Sequence, residues 1–441
     1  MALKVIHSSR NLTGHAGLLA IGHCLNHFTQ LPQAIDPVLP VRAGIANSDV
    51  LRAYVGLLSM GKSDFDAIEN HRDDDFFLRA LGLGAAPSAP TLRQRLDELA
   101  TKDGILLLLD ELSVRLLKRA KAPITPLPMG HVALDMDVFC MDNSSTKKEG
   151  VSRTYAGYDG YAPIAAYLGT EGWCLAAELR DGSQHSAKET HYTLQRVLPR
   201  AVALTDAPLL LRMDAGFDSQ QLTEEVLRFE QQRKTDGGAA VDLLVKWNPR
   251  QQGHELIDEM QTRTDLTFTE CREGKRQAIW VETITQRIDE QEHQLYRHLR
   301  VTERTIDKHG QQLLIPQWEI EGWVTSLTLP TTEIIALRRS RHPRAIPQRV
   351  QDGYGHRATA VRQIRHQRCH LVARYAGLQL PAADRPECFA GTEQPGASSR
   401  QTPPLAHRHA GNYLPCRVGD TARKANRDRP RRLRQNRHRL R

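Results

Sequence analysis

The sequence predicts a mixed α/β protein, and three observations carry that reading. Apolar residues recur at helical spacing through about residue 125. From residue 130 the period shortens to that of strands, with one helical stretch before the fourth of them. Between residues 218 and 325 the β signals become denser, in runs separated by polar turns.

Residues 1–125 read as helices, with apolar periodicity in Gly17-Leu-Leu-Ala-Ile-Gly-His-Cys-Leu25 and in Asp49-Val-Leu-Arg-Ala-Tyr-Val-Gly-Leu-Leu58. The stretch Ser88-Ala-Pro-Thr-Leu-Arg-Gln-Arg-Leu-Asp-Glu-Leu99 carries a helix start. Thr91 with Gln94 makes a capping-box pattern, and Pro90 suits the first turn. Arg93 and Arg95 then lie near a helix N-terminus, from which a recognition helix presents side chains to a DNA groove. A capped surface helix with two solvated arginines explains the same residues.

The strand region, residues 126–220, holds the runs Val132–Phe139, Tyr161–Leu168 and Trp173–Leu179. A helix with Tyr192, Leu194, Val197 and Leu198 on its apolar side comes next, then the strand Ala207–Met213. Three strands, a helix and a fourth strand, with acids on strands one and four, form the ribonuclease-H-like order. Residues 221–325 read as a β-rich insertion, with strands at Asp242–Trp247, Gln277–Glu282, Leu295–Val301 and Glu319–Thr325. Residues 326–337 return to the core. From residue 338 to residue 441 no apolar period persists, and disorder is expected there.

Two of the strands end in carboxylates: His131-Val-Ala-Leu-Asp-Met-Asp137 and Leu209-Leu-Leu-Arg-Met-Asp214-Ala-Gly-Phe217. Such runs deliver Asp137 and Asp214 to one edge of a sheet, where Mg²⁺ or Mn²⁺ finds the oxygen ligands a hard cation needs. Two metals held in this way make a phosphoryl-transfer site. Asp135 and Asp137 are two apart and leave the same face of their strand. Either one binds metal while the other supports it, or both are structural.

Composition narrows the function classes. No run of about eighteen apolar residues is present, so no membrane-spanning helix is expected. The N-terminal stretch lacks the long apolar segment of a secretory signal. Seven cysteines, at 24, 140, 174, 271, 369, 388 and 416, show no CxxC pair; they suit a reducing cytoplasm and argue against a zinc site. The net charge of +9 conceals a split: residues 338–441 carry 23 Arg and 1 Lys against 6 acids, a balance of +18. The first 337 residues carry 36 basic and 45 acidic side chains, a balance of −9. Nucleic-acid affinity inferred from the whole-chain charge would rest on the tail alone.

Several stretches together resemble a DDE-type insertion-sequence transposase: Leu134-Asp-Met-Asp137, Asp142-Asn-Ser-Ser-Thr-Lys-Lys-Glu-Gly150, Thr154-Tyr155, Asp159-Gly-Tyr-Ala-Pro163, Glu178-Leu-Arg-Asp-Gly-Ser-Gln-His185 and Arg212-Met-Asp-Ala-Gly-Phe217. The match is to the bacterial family called transposase DDE domain group 1, from near residue 10 to Ile335. The resemblance implies a helical N-terminal domain that grips the element's terminal inverted repeat. It also implies a catalytic core interrupted by a β-domain, metal-dependent strand cleavage and strand transfer, and a homodimer in a synaptic complex with two DNA ends. Carried over by motif, Asp137 is the first metal ligand and Asp214 the second, with Asp135 the neighbour of the first. Arg180 and Arg212 would lie near the site and contact phosphate; each could equally pair with a core carboxylate. Lys246, Arg250, Arg272, Lys275 and Arg276 could track the DNA backbone, or form a solvated hairpin surface. The expected location is the bacterial cytoplasm, on the nucleoid.

The third carboxylate that the family implies is missing. Its approach is present in Trp323-Val-Thr-Ser-Leu-Thr-Leu329 and Thr332-Glu-Ile-Ile-Ala-Leu337, but Arg338-Arg-Ser-Arg-His-Pro-Arg344 stands in place of the motif. Codons allowed for Arg339 through Arg365 read in the neighbouring frame as DHATREQFHSEFKTDMDIERLPSGKF, the string the family would have here. A frameshift just after Leu337 accounts for both the lost motif and the basic tail. The missing glutamate codon then straddles Arg344 and Ala345. Glu333 precedes the expected position and is a poor substitute. Besides a transposase impaired by this loss, the sequence admits a non-catalytic DNA-binding remnant, a metal-dependent nuclease of the same fold, and a programmed frameshift that restores the full enzyme.

Overall fold

The structure, a computed structural model, describes residues 13–250, 252–307 and 309–339. The basic tail, the shifted-frame segment and the disorder expected there lie outside the described residues from 340 onward.

Six helices come first: α1 (Leu18–Cys24), α2 (Leu31–Ile35), α3 (Asn47–Ser59), α4 (Asp75–Leu81), α5 (Ala89–Ala100) and α6 (Ile105–Arg119). They keep the expected periodicity, and Tyr54, Leu57, Leu81, Leu92 and Leu96 lie in one apolar core. The start of α5 differs from the sequence reading. Ser88, not Thr91, is the N-cap, and its hydroxyl accepts the Thr91 N–H at 3.3 Å. Pro90 then falls in the first turn, where its missing N–H costs nothing.

The strands are β1 (Val132–Val138), β2 (Met141–Asp142), β3 (Ser152–Arg153), β4 (Asp159–Tyr161), β5 (Ile164–Leu168) and β6 (Trp173–Glu178). Next come α7 (Thr190–Val202), β7 (Leu209–Met213), α8 (Gln220–Thr235), β8 (Val241–Trp247) and α9 (Gln252–Thr262). The series closes with β9 (Thr269–Arg272), β10 (Lys275–Ile288), β11 (Gln291–Ile306), β12 (Gln312–Thr325) and α10 (Thr331–Arg339). Tyr192, expected on the apolar side of α7, is 58% exposed; Thr193 is buried in its place.

Nine strands form one sheet in the order β6-β5-β1-β7-β8-β12-β11-β10-β9. β7 runs parallel to β1 and β8 parallel to β7, while β5 is reversed against both β1 and β6. The strands from β12 outward are antiparallel and continue the same sheet past β8. β10 and β11 are joined through Asp289 and Glu290, both at positive φ (45° and 69°), the backbone a two-residue hairpin with the right twist requires. A separate small sheet, β2-β4-β3, lies in the β1–β5 connection.

Strand alternation sorts the side chains of β1 and β7 onto two faces. Val132, Leu134 and Met136 join Leu209, Leu211 and Met213 in the same core as the helices. Ala133 and Leu210 join Leu244, Trp323, Leu327, Ile334 and Ile335 on the opposite face, beneath α10. Full burial of such leucines contributes roughly 1.5–3 kcal/mol each, which fixes the register of the central strands. Asp135, Asp137, Arg212 and Asp214 therefore belong to the α10 side.

Asp110 of α6 ties the helical segment to this core. Its carboxylate meets Arg200 of α7 at 2.9 Å, and Arg200 also donates to the Leu175 carbonyl at 3.2 Å. Burial pushes the Asp110 carboxyl up to about 6 against the pull of the arginine. An unfolded aspartate titrates near about 3.9, so between these values the folded state holds the extra proton and gains stability as pH falls. Chemical denaturation should show wild type gaining stability relative to Asp110→Asn between pH 7 and pH 5. An unchanged or narrowing advantage for wild type would contradict this.

Candidate functional site

The parallel register of β1 and β7 builds the site. Asp135 lies opposite Arg212, the last pair of that register; Asp137 follows two residues further along β1, and Asp214 follows Arg212 by two, one residue past the end of β7. β1 and β7 run parallel, so both aspartates fall at the C-terminal edge of the sheet, and the charges of both reach the Tyr155 hydroxyl. This juxtaposition spans 77 residues of sequence, the same separation as that of Asp135 and Arg212.

Each carboxylate is held by the local backbone. Asp137 is half-buried, and one of its oxygens accepts the Val138 N–H at 2.9 Å. Asp214 caps the short turn Ala215–Phe217 by accepting the Gly216 N–H at 2.9 Å. Gly216 is required by close approach: a Cβ there would sit 2.8 Å from Ser186 Oγ and 3.2 Å from Asp214 Oδ1. The turn that carries Asp214 thus rests directly on the loop before α7.

Asp135 behaves differently from Asp137. It is 4% exposed, and both of its oxygens accept from Arg212, from Nε and Nη2, each at 2.7 Å. The third Arg212 nitrogen, Nη1, donates to the Leu337 carbonyl at 2.8 Å. The structure corrects two expectations here. Asp135 is not presented at the site as a catalytic group but neutralises a buried arginine. Arg212, at 2% exposure, is not placed to contact phosphate; it links β1, β7 and α10. A planar bidentate pair of this kind is the geometry that guanidinium and carboxylate favour.

Arg180 requires the same correction. It is 1% exposed and donates to Thr190 Oγ1 at 3.0 Å, Thr193 Oγ1 at 3.1 Å, and the carbonyls of Lys188 and Ser186 at 3.2 and 3.4 Å. Its guanidinium sits 3.7 Å from Glu178, the core-carboxylate alternative already open in the sequence. Arg180 pins residues 181–190, and through Ser186 that loop supports the Asp214 turn.

Arg93 and Arg95 lie well away in the sequence, on α5, and both are half-buried. Arg93 stacks over the Phe65 ring at 5.6 Å, and Arg95 donates to Asn47 Oδ1 at 3.4 Å. Of the cations expected to track DNA, Lys246 of β8 pairs with Glu321 at 3.7 Å and Arg276 of β10 pairs with Glu303. Arg250 donates to the Asp218 carbonyl at 2.8 Å, while Arg272 is exposed and Lys275 half-buried.

The sequence pattern assigns no role to Tyr155. It stands in the turn between β3 and β4, and its hydroxyl donates to the Val138 carbonyl, next to Asp137, at 3.3 Å. Desolvation of the hydroxyl, then Cys140, then the charges of Asp137 and Asp214 push its ionisation far above the ordinary tyrosine range. The phenol therefore stays protonated and keeps its hold on β1. The available signal is an aromatic residue in a Gly-containing turn, and nothing local shows where such a turn folds back.

Two carboxylates at adjacent strand ends offer oxygen acceptors suited to a hard divalent cation. Among the described residues, no group of three His, Cys, Asp or Glu is arranged to hold a metal. Glu333, in the first turn of α10, is exposed. Among the described residues, no helix is long and apolar enough to cross a membrane.

Residues 2–286 match the family described as transposase DDE domain group 1. No curated protein matches the sequence. One similar solved structure is a piggyBac transposase synaptic complex with hairpin DNA, at 11% identity and a TM-score of 0.35 over 83% of this chain and 73% of that one.

Proposed function

The chain belongs to the transposase DDE domain group 1 family, and from that premise we propose that its cleavage and strand-transfer site is built on Asp137 and Asp214. By family it is an enzyme of the DDE transposase type. The observation that carries the reading is the parallel run of β1 and β7, which brings the ends of both strands, with Asp137 and Asp214, to one edge of the sheet. The order β6-β5-β1-β7-β8, with only β5 reversed among the five, supports a ribonuclease-H-like core. Residues 1–125 are then the segment that grips the terminal inverted repeat, with Arg93 and Arg95 on α5 as candidate contacts. Because α8 and β8 complete that core order, the β-rich insertion expected at residues 221–325 narrows to the part from α9 through β12.

Asp137 and Asp214 would hold Mg²⁺ or Mn²⁺, and the bound cation would stabilise charge on the oxygens of a DNA phosphodiester. The protein's own groups fix where that happens. Arg212 and Asp135 lock β1 to β7 two residues before the carboxylates, and Arg180 with Ser186 supports the Asp214 turn. Holding reactants to a fraction of an ångström in this way is a large part of rate enhancement. The reaction is cutting at an element end and joining that end to target DNA, by two copies of the chain in a synaptic complex in the bacterial cytoplasm.

The third acid belongs after Leu337, and Arg212 supports that position. Its bond to the Leu337 carbonyl holds the C-terminal end of α10 against the ends of β1 and β7. A helix continuing from there in the family's frame would supply a glutamate to the pair. In this chain the reading frame has shifted at that point, and the glutamate is lost. The chain as written is thus a transposase by descent with impaired chemistry. The replacement of the family motif by Arg338-Arg-Ser-Arg-His-Pro-Arg344 favours a second reading, a remnant that binds inverted repeats without cutting them.

A gel shift with a duplex carrying the element's terminal repeat, run beside a Mg²⁺ cleavage assay, tests this. The chain should bind that duplex in preference to a scrambled one and cut it poorly or not at all. Equal affinity for both duplexes would overturn the assignment of repeat recognition.

A further inference from the structure

Tyr155 is 75% exposed, yet it is held in one place. The turn beneath it is closed by Thr154, whose N–H and hydroxyl both donate to the Tyr158 carbonyl at 2.9 and 2.7 Å. Gly157 donates back to the Thr154 carbonyl at 3.1 Å with φ at +88°, a left-handed conformation that favours glycine. At the far end of the side chain the hydroxyl is tied to the Val138 carbonyl. The ring is therefore anchored through its backbone in one element and through its hydroxyl in another, at the strand end that carries Asp137. Its face is left to solvent.

That combination is unusual for a side chain that serves only packing. A large aromatic gains stability by burial, and an exposed one gains little. A tethered ring has already lost the freedom that a ligand contact would otherwise cost. The ring is within the electrostatic reach of two carboxylates, which repel a phosphate but have little effect on a neutral base. Aromatic faces in nucleic-acid sites take up bases by stacking, without regard to sequence.

We propose that the Tyr155 ring is a stacking platform for the nucleobase next to the phosphodiester handled at Asp137 and Asp214. This rests on the transposase reading of the site. The ligand class is a single base at or beside the element end, unpaired or at the end of a stack, and the ring sets that nucleotide's position relative to the two carboxylates.

The test is fluorescence anisotropy with a labelled duplex that carries the element's terminal repeat and flank, in Ca²⁺ so that binding is read without cleavage. A second set of duplexes lacks one base at a time around the element end. Wild type, Tyr155→Ala and Tyr155→Phe are compared on each. Tyr155→Ala should weaken binding to the intact duplex about tenfold, and Tyr155→Phe should retain most of the affinity. Removing one particular base should weaken wild type by a similar factor and leave Tyr155→Ala unchanged. If no abasic position affects wild type, or if Tyr155→Ala suffers the same further loss, the stacking assignment is wrong. A uniform loss on every duplex would mean that Tyr155 only supports the fold. If wild type does not distinguish the terminal repeat from a scrambled duplex, the transposase reading fails first and this inference with it.

Discussion

Asp135→Asn should destabilise the fold by about 3–5 kcal/mol, and clearly more than Asp137→Asn does. The two residues are neighbours on one face of one strand, so the contrast isolates environment from position. Replacing one Asp135 oxygen by an amide sets an NH₂ against the Arg212 guanidinium and leaves that buried cation uncompensated. Loss of one partner from a buried pair costs far more than the pair itself contributes. Arg212 also holds the Leu337 carbonyl, so its displacement should loosen α10 from the sheet. The Asp137 carboxylate accepts the Val138 N–H, a bond that an amide oxygen can also make. Asp137 is half-buried, so neutralising it disturbs less than removing one partner of a buried pair. Guanidinium denaturation of the two variants measures the difference directly. Equal destabilisation, or a larger loss for Asp137→Asn, would contradict the assignment of Asp135 as structural.

The same pair of residues shows how much is legible in the sequence. Alternation and a carboxylate near each strand end are enough to mark the Asp135–Asp137 strand and Asp214 as candidates, because local pattern decides roughly where a strand stops. Choosing between Asp135 and Asp137 needs the partner, and that partner, Arg212, is set by the register of strands 77 residues apart. A period of two places both aspartates on one face and cannot separate them. Pattern alone leaves phosphate contact and core pairing equally open for Arg180 and Arg212; burial of both is a property of the assembled layers. The continuous nine-stranded sheet is equally hidden. β12 joins β8 by pairing Thr325 with Leu244, and nothing in either run marks the other as its neighbour. Ser88 takes the cap from Thr91 for a local reason: a proline at 90 fits the first turn, which moves the helix start upstream.

The largest effect expected is on catalysis. Moving the reading frame back after Leu337 should convert a chain that binds element ends into one that cuts them. A two-carboxylate site lacks part of its metal grip, and the loss of several kcal/mol of transition-state stabilisation corresponds to a rate lower by about a thousandfold or more. The comparison is informative because both proteins share residues 1–337, including Asp137, Asp214 and the Asp135–Arg212 lock. A difference in rate then belongs to the residues beyond α10. Sequencing the gene bears on the same point: bases in the shifted frame that do not encode the family motif would remove the frameshift explanation.

Single-turnover cleavage of a duplex carrying the element end, in Mg²⁺, tests the two-aspartate site most directly. Three proteins are compared: the chain as written, the chain with its frame restored, and the restored chain with Asp137→Asn. Cleavage at the element end by the restored chain alone, with both others slower by about a thousandfold or more, is the expected result. Full-rate cleavage by the chain as written, or by the Asp137→Asn variant, would contradict it.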